Sequence, residues 1–444
     1  MFANLPGILG FYPEKSIVLA GFHRSESTQQ PGKYVLGPLF RTDSNRTDAI
    51  ADILRNLTMS TDLIFGFIID NGIYSDSNSA PCAQDYVRSL CAIARDHDAP
   101  LAAVWATPSL YTGEPYRRVF GLTQHDVGPA TTGRDNWDAG CIAPVASAAS
   151  TRDLLSKGML PDITRTDMLD HFQPIHAFDD DIEAHVVQKQ ITEMAQSLAD
   201  LAEAHTPESS GTFAAAMDEL WEVLAAVRDT INDCDAEVIA NCDLAEAIAA
   251  DTELLINGAV FFAHPLLRDV ALVAADRSVN DSIAPGTTRA FMELALAVGR
   301  CFTGELRANA LCSYALAASQ CGYRVRTVPA VRCALEAKSD HGLADLLMKG
   351  FYAGLCDQML KACLAGSVTL REKYTHPAQR AEGAGKVRGA AAHRLRAEGA
   401  DGGVGAGRHG VAPGASKLPA KGDRDPSGPP RTGGGGGTER ERRL

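Results

Sequence analysis

The segment Asp62-Leu-Ile-Phe-Gly-Phe-Ile-Ile-Asp70 is the most strand-like run in this 444-residue chain. Its apolar residues follow one another almost without interruption, whereas a strand with one face in water alternates apolar and polar residues. A continuous apolar run is typical of a strand that is covered on both faces. It therefore predicts a central strand with parallel neighbours, in a domain that combines a sheet with helices.

The residues before this run predict a hairpin followed by a helix. Two short apolar stretches, 16–22 and 34–40, are separated by a polar stretch that contains a Pro-Gly turn signal. Asp43 or Ser44 then precedes apolar residues at helical spacing, as N-terminal helix caps do. The apolar positions of this helix are Ile50, Ile53, Leu54 and Leu57.

A second helix and a fourth strand follow the central run. The strand is predicted at Pro100 to Trp105, and the apolar stripe of the helix consists of Tyr86, Val87, Leu90, Ile93 and Ala94. The order strand, strand, helix, strand, helix, strand with right-handed crossovers predicts an α/β domain. We expect it to span residues 1–175, with a mixed, largely parallel sheet and flanking helices.

From about residue 179 the apolar period becomes helical. Two stripes with steps of three and four residues, joined by the turn-rich segment His205 to Thr212, predict an antiparallel helical hairpin. The stripes are Ala184, Val187, Ile191, Met194, Leu198 and Leu201, then Phe213, Met217, Leu220, Leu224, Val227 and Ile231. Further short helices predict an all-α domain of helical hairpins over residues 176–374, and stacking of these pairs in a repeat-like array is one alternative.

The composition changes abruptly after Tyr374. The segment 375–444 holds 17 of the 40 glycines and no Ile, Phe, Met, Trp or Cys, so it cannot bury a core. We predict a disordered tail rich in Gly, Arg and Pro. Two origins stay open, a natural basic tail or the product of a shifted reading frame near Tyr374, since an out-of-frame reading of a GC-rich gene has this composition.

The charge balance argues against a nucleic-acid-binding body. Residues 371–444 carry 15 Lys+Arg against 8 Asp+Glu, which leaves 27 against 47 in the rest of the chain. Because so acidic a body repels phosphates, nucleic-acid binding by the folded part is not expected. At 45% hydrophobic and 22% charged residues, the chain as a whole has the composition of a globular protein.

Cysteine usage and hydropathy predict a cytoplasmic protein. The 11 cysteines lie singly, mostly in apolar runs, as reduced, buried thiols do. The first twenty residues include Glu14 and Lys15 and lack the basic start of a secretory signal, and the most apolar later stretch is interrupted by His264, Arg268 and Asp269. We therefore expect no membrane span.

Motifs of cofactor and metal chemistry are missing from the sequence. It contains no phosphate-binding loop, no His-Glu-x-x-His, no Cys-x-x-Cys and no Gly-x-Ser-x-Gly. A Gly-x-Gly-x-x-Gly at 405–410 lies in the glycine-rich tail, without the strand and helix that a dinucleotide site needs. His171 and His176 lie close to Asp179 to Asp181, but these carboxylates precede a helix and are interpreted as caps. We predict no cofactor and no metal site.

The segment Leu5-Pro-Gly-Ile-Leu-Gly-Phe-Tyr-Pro-Glu-Lys-Ser-Ile-Val18 resembles the opening of a bacterial family, the domain of unknown function family 4192. Three later segments are similar to the same family and extend the resemblance to about residue 355. They are Arg41-Thr-Asp43, His264-Pro-Leu-Leu-Arg-Asp-Val-Ala-Leu272 and Ala334-Leu-Glu-Ala-Lys-Ser-Asp-His-Gly-Leu-Ala-Asp-Leu-Leu347. Because the family has no assigned activity, the resemblance implies no catalytic residue. The family resemblance leads us to expect a closely spaced set of cysteines in the region Trp137 to Cys141, but this region has one cysteine, Cys141. This difference argues against a cysteine site.

Polar residues at the strand ends are the candidate binding site. In open parallel sheets, ligands gather beyond the carboxyl ends of the strands. The second, third and fourth predicted strands each end in polar residues. An aromatic side chain on the fourth strand is a candidate for the wall of a pocket. The predicted ligand-binding residues are Arg41, Asp43, Asp70, Asn71, Trp105 and Thr107. The alternative is structural: a turn at Asp70-Asn71, an ion pair or cap at Arg41 and Asp43, and packing of Trp105.

Two functions follow from these observations, and the sequence leaves both open. The first is a noncatalytic cytoplasmic protein that binds a small ligand or a partner protein, with the helical half as an adaptor surface. The second is an enzyme, a hydrolase or transferase, with its site at the strand ends near Asp70. The absence of a recognisable pair of nucleophile and base favours the first.

Overall fold

A six-stranded sheet organises the N-terminal part of the protein. We describe it from a computed structural model, which covers residues 1–25, 33–59, 61–74, 83–122, 137–157, 159–178, 180–233 and 243–375. The strands are β1 (Ser16–Arg24), β2 (Tyr34–Asp43), β3 (Leu63–Ile69), β4 (Leu101–Thr107), β5 (Pro115–Gly121) and β6 (Ala139–Cys141). The helices of this part are α1 (Leu5–Leu9), α2 (Thr47–Thr58), α3 (Ala83–Asp96), α4 (Ala149–Leu155) and α5 (Arg165–Asp170).

The strands lie in the order β2-β1-β3-β4-β5-β6. The predicted mixed sheet with flanking helices and the hairpin of β1 and β2 are confirmed. The expectation of largely parallel pairing is wrong, because only β3 and β4 run parallel and the other four pairs are antiparallel. The apolar run of β3 indicates that both of its faces are covered. A central strand is covered on both faces whether its neighbours are parallel or antiparallel, so the run does not determine strand direction.

Two apolar layers cover the sheet. On one face, Ile17 and Ile68 pack with Leu54 of α2 and Leu90 of α3 in one buried cluster. On the other face, Val18, Phe67 and Trp105 pack with the N-terminal Phe2 and with Ile142 and Val145 from the segment after β6. Residues 68 and 67 of β3 thus contact different layers, as the two-fold repeat of a strand requires.

The opening segment fastens the sheet to its surroundings. Gly10 follows α1 at φ 83°, a left-handed conformation that favours glycine. A Cβ atom there would lie 2.9 Å from Val325 in the helical part. The next residue, Phe11, is buried and forms an isolated bridge with Asp162. The predicted turn before β1 is therefore also a contact between the two parts of the chain.

Gly7 gives a direct test of this role. A Cβ atom at Gly7 would lie 2.5 Å from both the Oγ atom of Ser150 and the backbone nitrogen of Thr151. We expect Gly7→Ala to lower the free energy of unfolding by about 1–3 kcal/mol, because α1 and α4 must separate. The matched control is Gly211→Ala in an open helical position, which should gain about 0.5–1 kcal/mol. Chemical denaturation checks both values, and equal effects would contradict the close contact.

The remaining described chain is helical. Its helices are α6 (Asp181–Glu203), α7 (Pro207–Asp233), α8 (Leu244–Ala250), α9 (Thr252–Val260), α10 (Pro265–Ala271), α11 (Arg277–Ile283), α12 (Thr287–Cys301), α13 (Gly304–Gln320), α14 (Thr327–Ala337), α15 (Gly342–Tyr352) and α16 (Cys356–Thr375). Helix α12 contacts α7, α8 and α9 as well as α13. Nearly all residues of α12 and most of α13 are buried. Helices α12 and α13 therefore form a buried central pair, and the other helices pack around it.

Helices α6 and α7 form the predicted hairpin. Their connection is shorter than the turn-rich segment suggests, because Thr206 and Ser209 exchange backbone and hydroxyl hydrogen bonds of 3.1 Å and start α7 at Pro207. The apolar stripe of α7 is buried as expected. On α6, however, Met194 is 49% exposed, so part of the predicted stripe faces solvent.

All described residues belong to one compact unit, Met1–Gly383, and the domain boundary at residue 175 stays a prediction. Residues 376–444, which hold almost all of the predicted tail, lie outside the described residues. No single helix of the described chain has both the length and the apolarity to cross a membrane. The segments Thr252–Val260 and Pro265–Ala275 are long and apolar enough only when taken together, and the chain bends by 101° between them.

Candidate functional site

The strand ends do meet at one edge of the sheet. Ser16 at the start of β1 lies opposite Asp43 of β2 and opposite Ile69 of β3. Ile69 in turn lies beside Thr107 at the end of β4. The ends of β2, β3 and β4 and the start of β1 therefore share this edge, which is the arrangement that the sequence predicts for its candidate site.

Arg41 is held by its own neighbours at this edge. Its Nη1 atom lies 2.6 Å from a carboxylate oxygen of Asp43, and its Nε atom donates to the hydroxyl of Ser16 at 2.8 Å. The guanidinium also lies 6.0 Å from the ring centre of Phe11. The pair of Arg41 and Asp43 thus fits the structural alternative, an ion pair within β2, and the bond from Arg41 to Ser16 joins β2 to the start of β1.

Asp70 belongs to a second cluster on the helical side of the sheet. Its carboxylate accepts from the hydroxyl of Tyr86 at 3.2 Å and of Ser44 at 3.4 Å, and from the backbone nitrogen of Gly72 at 3.0 Å. Burial raises the pKa of Tyr86, so its hydroxyl stays a donor. These bonds tie the start of α3 and the turn after β2 to the end of β3.

The predicted residues therefore divide between the two faces of the sheet. Arg41 lies opposite Val18 in the register and so shares its face, whereas Asp70 contacts Tyr86 of α3 on the other face. The expectation that Asp43 or Ser44 caps α2 is wrong. The residue before α2 is Arg46, and no side-chain cap is present there, because Asp43 and Ser44 are engaged elsewhere.

The other three predicted residues have packing or turn positions. Trp105 is buried between Phe65, Phe67 and Trp137, and its ring nitrogen donates to the carbonyl of Trp137 at 2.8 Å. Thr107 is fully buried, with its hydroxyl 2.8 and 3.0 Å from the carbonyl oxygens of Ser109 and Pro115. Asn71 begins a single helical turn, Asn71–Tyr74, and is exposed.

A buried polar network connects two of the family-like segments. The carbonyl oxygen of the Asn309 side chain accepts from Nη1 of Arg268 at 2.6 Å and lies 2.8 Å from Nε2 of His341. The amide of Asn309 donates to the carbonyl of Phe262 at 2.9 Å. Because Nδ1 of His341 accepts from the backbone nitrogen of Ala344, Nε2 carries the proton and donates to Asn309.

The electrostatics of this network indicate a structural role. Burial, followed by the charge of Arg268, lowers the pKa of His341. The thiol of Cys312 lies 3.7 Å from Nδ1 of His341, and burial raises its pKa to about 12. A neutral imidazole beside a protonated thiol is not an activated nucleophile pair.

Two residues of the histidine and aspartate group before α6 have structural contacts. Asp180 caps α6 by accepting from the backbone nitrogen of Glu183 at 2.7 Å, which confirms capping at this position, whereas Asp179 lies outside the described residues. His171 packs against Tyr314 with a 3.2 Å contact to its hydroxyl, and burial lowers the pKa of His171 to about 3. Within the described ranges, no group of three or more His, Cys, Asp or Glu is placed to hold a metal ion.

A groove in the helical part has the size and lining of a binding cleft. Helices α6, α7 and α9 enclose a groove of about 880 Å³, which is within the size range of binding clefts. Its apolar lining includes deeply buried side chains, such as Val260 and Phe261, and the exposed Met194. The apolar residues that argue for binding are Met194, Leu198, Val223, Leu254, Val260 and Phe261.

The charged residues of the groove are all acidic. They are Glu219 and Glu222 on α7 and Asp251 and Glu253 at the start of α9, and no basic residue is among the described residues that line it. Asp251 also caps α9 by accepting from the backbone nitrogen of Leu254. The two glutamates of α7 lie three residues apart and form no ion pair with the described residues. Like charges on neighbouring turns of a helix repel each other, so the proximity of these two carboxylates does not stabilise α7.

Comparison with known protein families supplies the assignment. The model of the family described as Domain of unknown function (DUF4192) matches residues 1–357. The chain belongs to the DUF4192 family. No curated protein and no solved structure matches it. The DUF4192 match includes the whole sheet, the buried network and all residues of the groove, and it ends near the start of α16.

The groove of this DUF4192 chain was not among the sequence predictions. Stripe positions such as Met194 and Leu198 are expected in a core, and periodicity alone does not distinguish a core from a groove. The signal available in the sequence is the pair Glu219 and Glu222, because like charges three residues apart on one helix repel each other.

Proposed function

We propose that this protein is a noncatalytic binding protein that holds a partner protein in the groove between α6, α7 and α9. The observation that carries the proposal is the combination of an apolar floor with the unpaired carboxylates Glu219 and Glu222. An apolar floor contributes affinity, and charges at the rim select the partner and its orientation.

The chemistry of the groove favours a basic amphipathic helix as the class of partner. Two helices that lie side by side accept a third along their length, with its apolar residues on the floor. Lysines or arginines on the flanks of that helix complement Glu219, Glu222 and Glu253. The acidic body of the chain, with 27 Lys+Arg against 47 Asp+Glu outside residues 371–444, also attracts a basic partner from solution. Exposed Met194 supports the proposal, since methionine adapts to irregular apolar surfaces.

The location of the protein is part of the same proposal. None of the eight cysteines among the described residues is part of a disulfide, which supports a reducing compartment such as the cytoplasm. Cys141 and Cys356 are exposed, contrary to the expectation of buried thiols. Binding of a small ligand by the sheet-edge residues stays a prediction, as does the enzyme alternative. The protein-partner proposal is favoured over both, because Arg41 and Asp70 are engaged in contacts that hold the strands and helices together.

Photo-crosslinking tests the proposed function. The full chain is expressed in cells of its natural source with the photoreactive amino acid benzoylphenylalanine in place of Ala216, which lines the groove. Irradiation is expected to link one partner protein, and the linked peptide should be a helix with basic flanks. The double variant Glu219→Lys/Glu222→Lys should reduce the crosslink at least about tenfold, because attraction becomes repulsion.

The matched control is the double variant Glu203→Lys/Asp229→Lys. These exposed acids lie on α6 and α7 outside the groove lining, and their reversal changes the net charge by the same amount. The control should keep the crosslink. A crosslink that survives reversal of the groove acids, or that the control removes equally, would contradict the proposal.

A further inference from the structure

A second cavity lies against α7 and is separate from the groove. Its volume is about 440 Å³, which suits a small molecule. It is lined by Asp218 and Trp221 of α7, by α11 and the residues on either side of it, and by Arg371 of α16. Asp218 and Trp221 are absent from the described lining of the groove, so the two cavities use different residues of α7.

The wall of this cavity is apolar except at one end. Trp221, Val273 and Val279 provide its surface. The polar residues of the wall are engaged within the protein: the amide of Asn280 donates to the carbonyl of Val273 at 2.8 Å, and the hydroxyl of Thr287 donates to the carbonyl of Ala284 at 2.7 Å. A ligand therefore meets an aromatic ring and aliphatic side chains on most sides.

The polar end of the cavity is formed by Arg371. Its guanidinium lies 5.2 Å from the ring centre of Trp221, and its Nη2 atom donates to a carboxylate oxygen of Asp218 at 3.2 Å. The side chain of Arg371 is 28% exposed and that of Asp218 is 68% exposed, so the pair is open to exchange with solvent anions. The Nε and Nη1 atoms of Arg371 have no hydrogen-bond partner among the described residues, and an arginine has donors for a second carboxylate.

We propose that this cavity binds a planar aromatic monocarboxylate. The aromatic part lies against Trp221 and the aliphatic wall, and the carboxylate accepts hydrogen bonds from Arg371. A ring and a single anionic group match Trp221 and Arg371 of the described lining, and the carboxylate of the ligand competes with Asp218 for the guanidinium. This small-molecule site is independent of the groove and of the proposed protein partner.

Ligand-observed NMR of the full chain tests the proposal with 2-naphthoate as the probe. We expect saturable binding with a Kd at or below about 1 mM, and binding of the uncharged 2-naphthalenemethanol that is at least about tenfold weaker. Arg371→Met should weaken 2-naphthoate binding to the level of the alcohol. Asp218→Asn should tighten it about threefold, because the competing and repelling carboxylate is removed.

Two tryptophan variants locate the binding site. Val279→Trp narrows the cavity from its exposed rim and should abolish binding of 2-naphthoate. Val328→Trp is the control on α14, since Val328 is 46% exposed and Val279 is 45% exposed. Thermal unfolding by circular dichroism establishes that each variant is folded. The proposal is overturned by the absence of saturable binding, by binding that Val279→Trp leaves unchanged, or by a weaker complex in Asp218→Asn.

Discussion

Asn309→Ala is expected to lower the free energy of unfolding by about 2–4 kcal/mol, because two buried donors lose their shared acceptor. The guanidinium of Arg268 keeps its contact with Asp269 at 2.6 Å, which limits the loss. The Nε2 proton of His341 has no such substitute among the described residues. The carbonyl of Phe262 also loses its donor. Chemical denaturation followed by circular dichroism measures the change.

Ser313→Ala is the matched control for this prediction. Ser313 is as deeply buried as Asn309 on the same helix, but its hydroxyl bonds only to the backbone carbonyl of Asn309. Its removal should cost less than about 1 kcal/mol. If the two variants were equally stable, the network of Arg268, Asn309 and His341 would not be what joins α10, α13 and α15.

A second large effect is expected on acidification, through His171. Burial lowers the pKa of His171 to about 3, and the charges of Arg326 and Arg300 act in the same direction, against Asp243. The folded protein therefore keeps His171 neutral, whereas the unfolded chain binds a proton below about pH 6.5. The unfolded state then holds more protons, so stability falls as the pH decreases. The contribution of this group approaches about 1.4 kcal/mol per pH unit between roughly pH 6 and pH 4.

His171→Gln tests this prediction. Glutamine is uncharged at every pH in this range and can still reach the hydroxyl of Tyr314 by a hydrogen bond. We expect the variant to lose less stability than the wild-type protein between pH 7 and pH 4.5, while the two proteins respond alike between pH 7 and pH 8. Denaturation curves at each pH give the difference. Parallel pH dependences of the two proteins would show that His171 is not held neutral by burial.

The sequence predicts those parts of the fold that local patterns determine. The continuous apolar run of β3 indicates cover on both faces, and the three- and four-residue steps of α6 and α7 indicate a helical hairpin. Strand direction is different, because β3 has the same composition beside a parallel or an antiparallel neighbour. The helix cap expected at Asp43 or Ser44 is also wrong, since Asp43 pairs with Arg41 on its own strand and Ser44 bonds to Asp70, which is near only in the folded chain.

The candidate sites show the same limit. The strand-end residues do meet at one edge, as sheet topology predicts, but periodicity does not reveal that Arg41 and Asp70 lie on opposite faces and are held by other side chains. The network of Arg268, Asn309 and His341 joins residues 41 and 32 positions apart. No local pattern relates such residues. The groove depends on the exposure of Met194, which is set by how α6, α7 and α9 pack.

The most direct measurement is calorimetric titration of the full chain with the segment that crosslinks at position 216, made as a synthetic peptide. We expect 1:1 binding that weakens as salt is added. The affinity should fall at least about tenfold in Glu219→Lys/Glu222→Lys, but not in Glu203→Lys/Asp229→Lys. Equal affinities of the wild-type chain and both double variants would contradict a role for the acidic groove in partner binding.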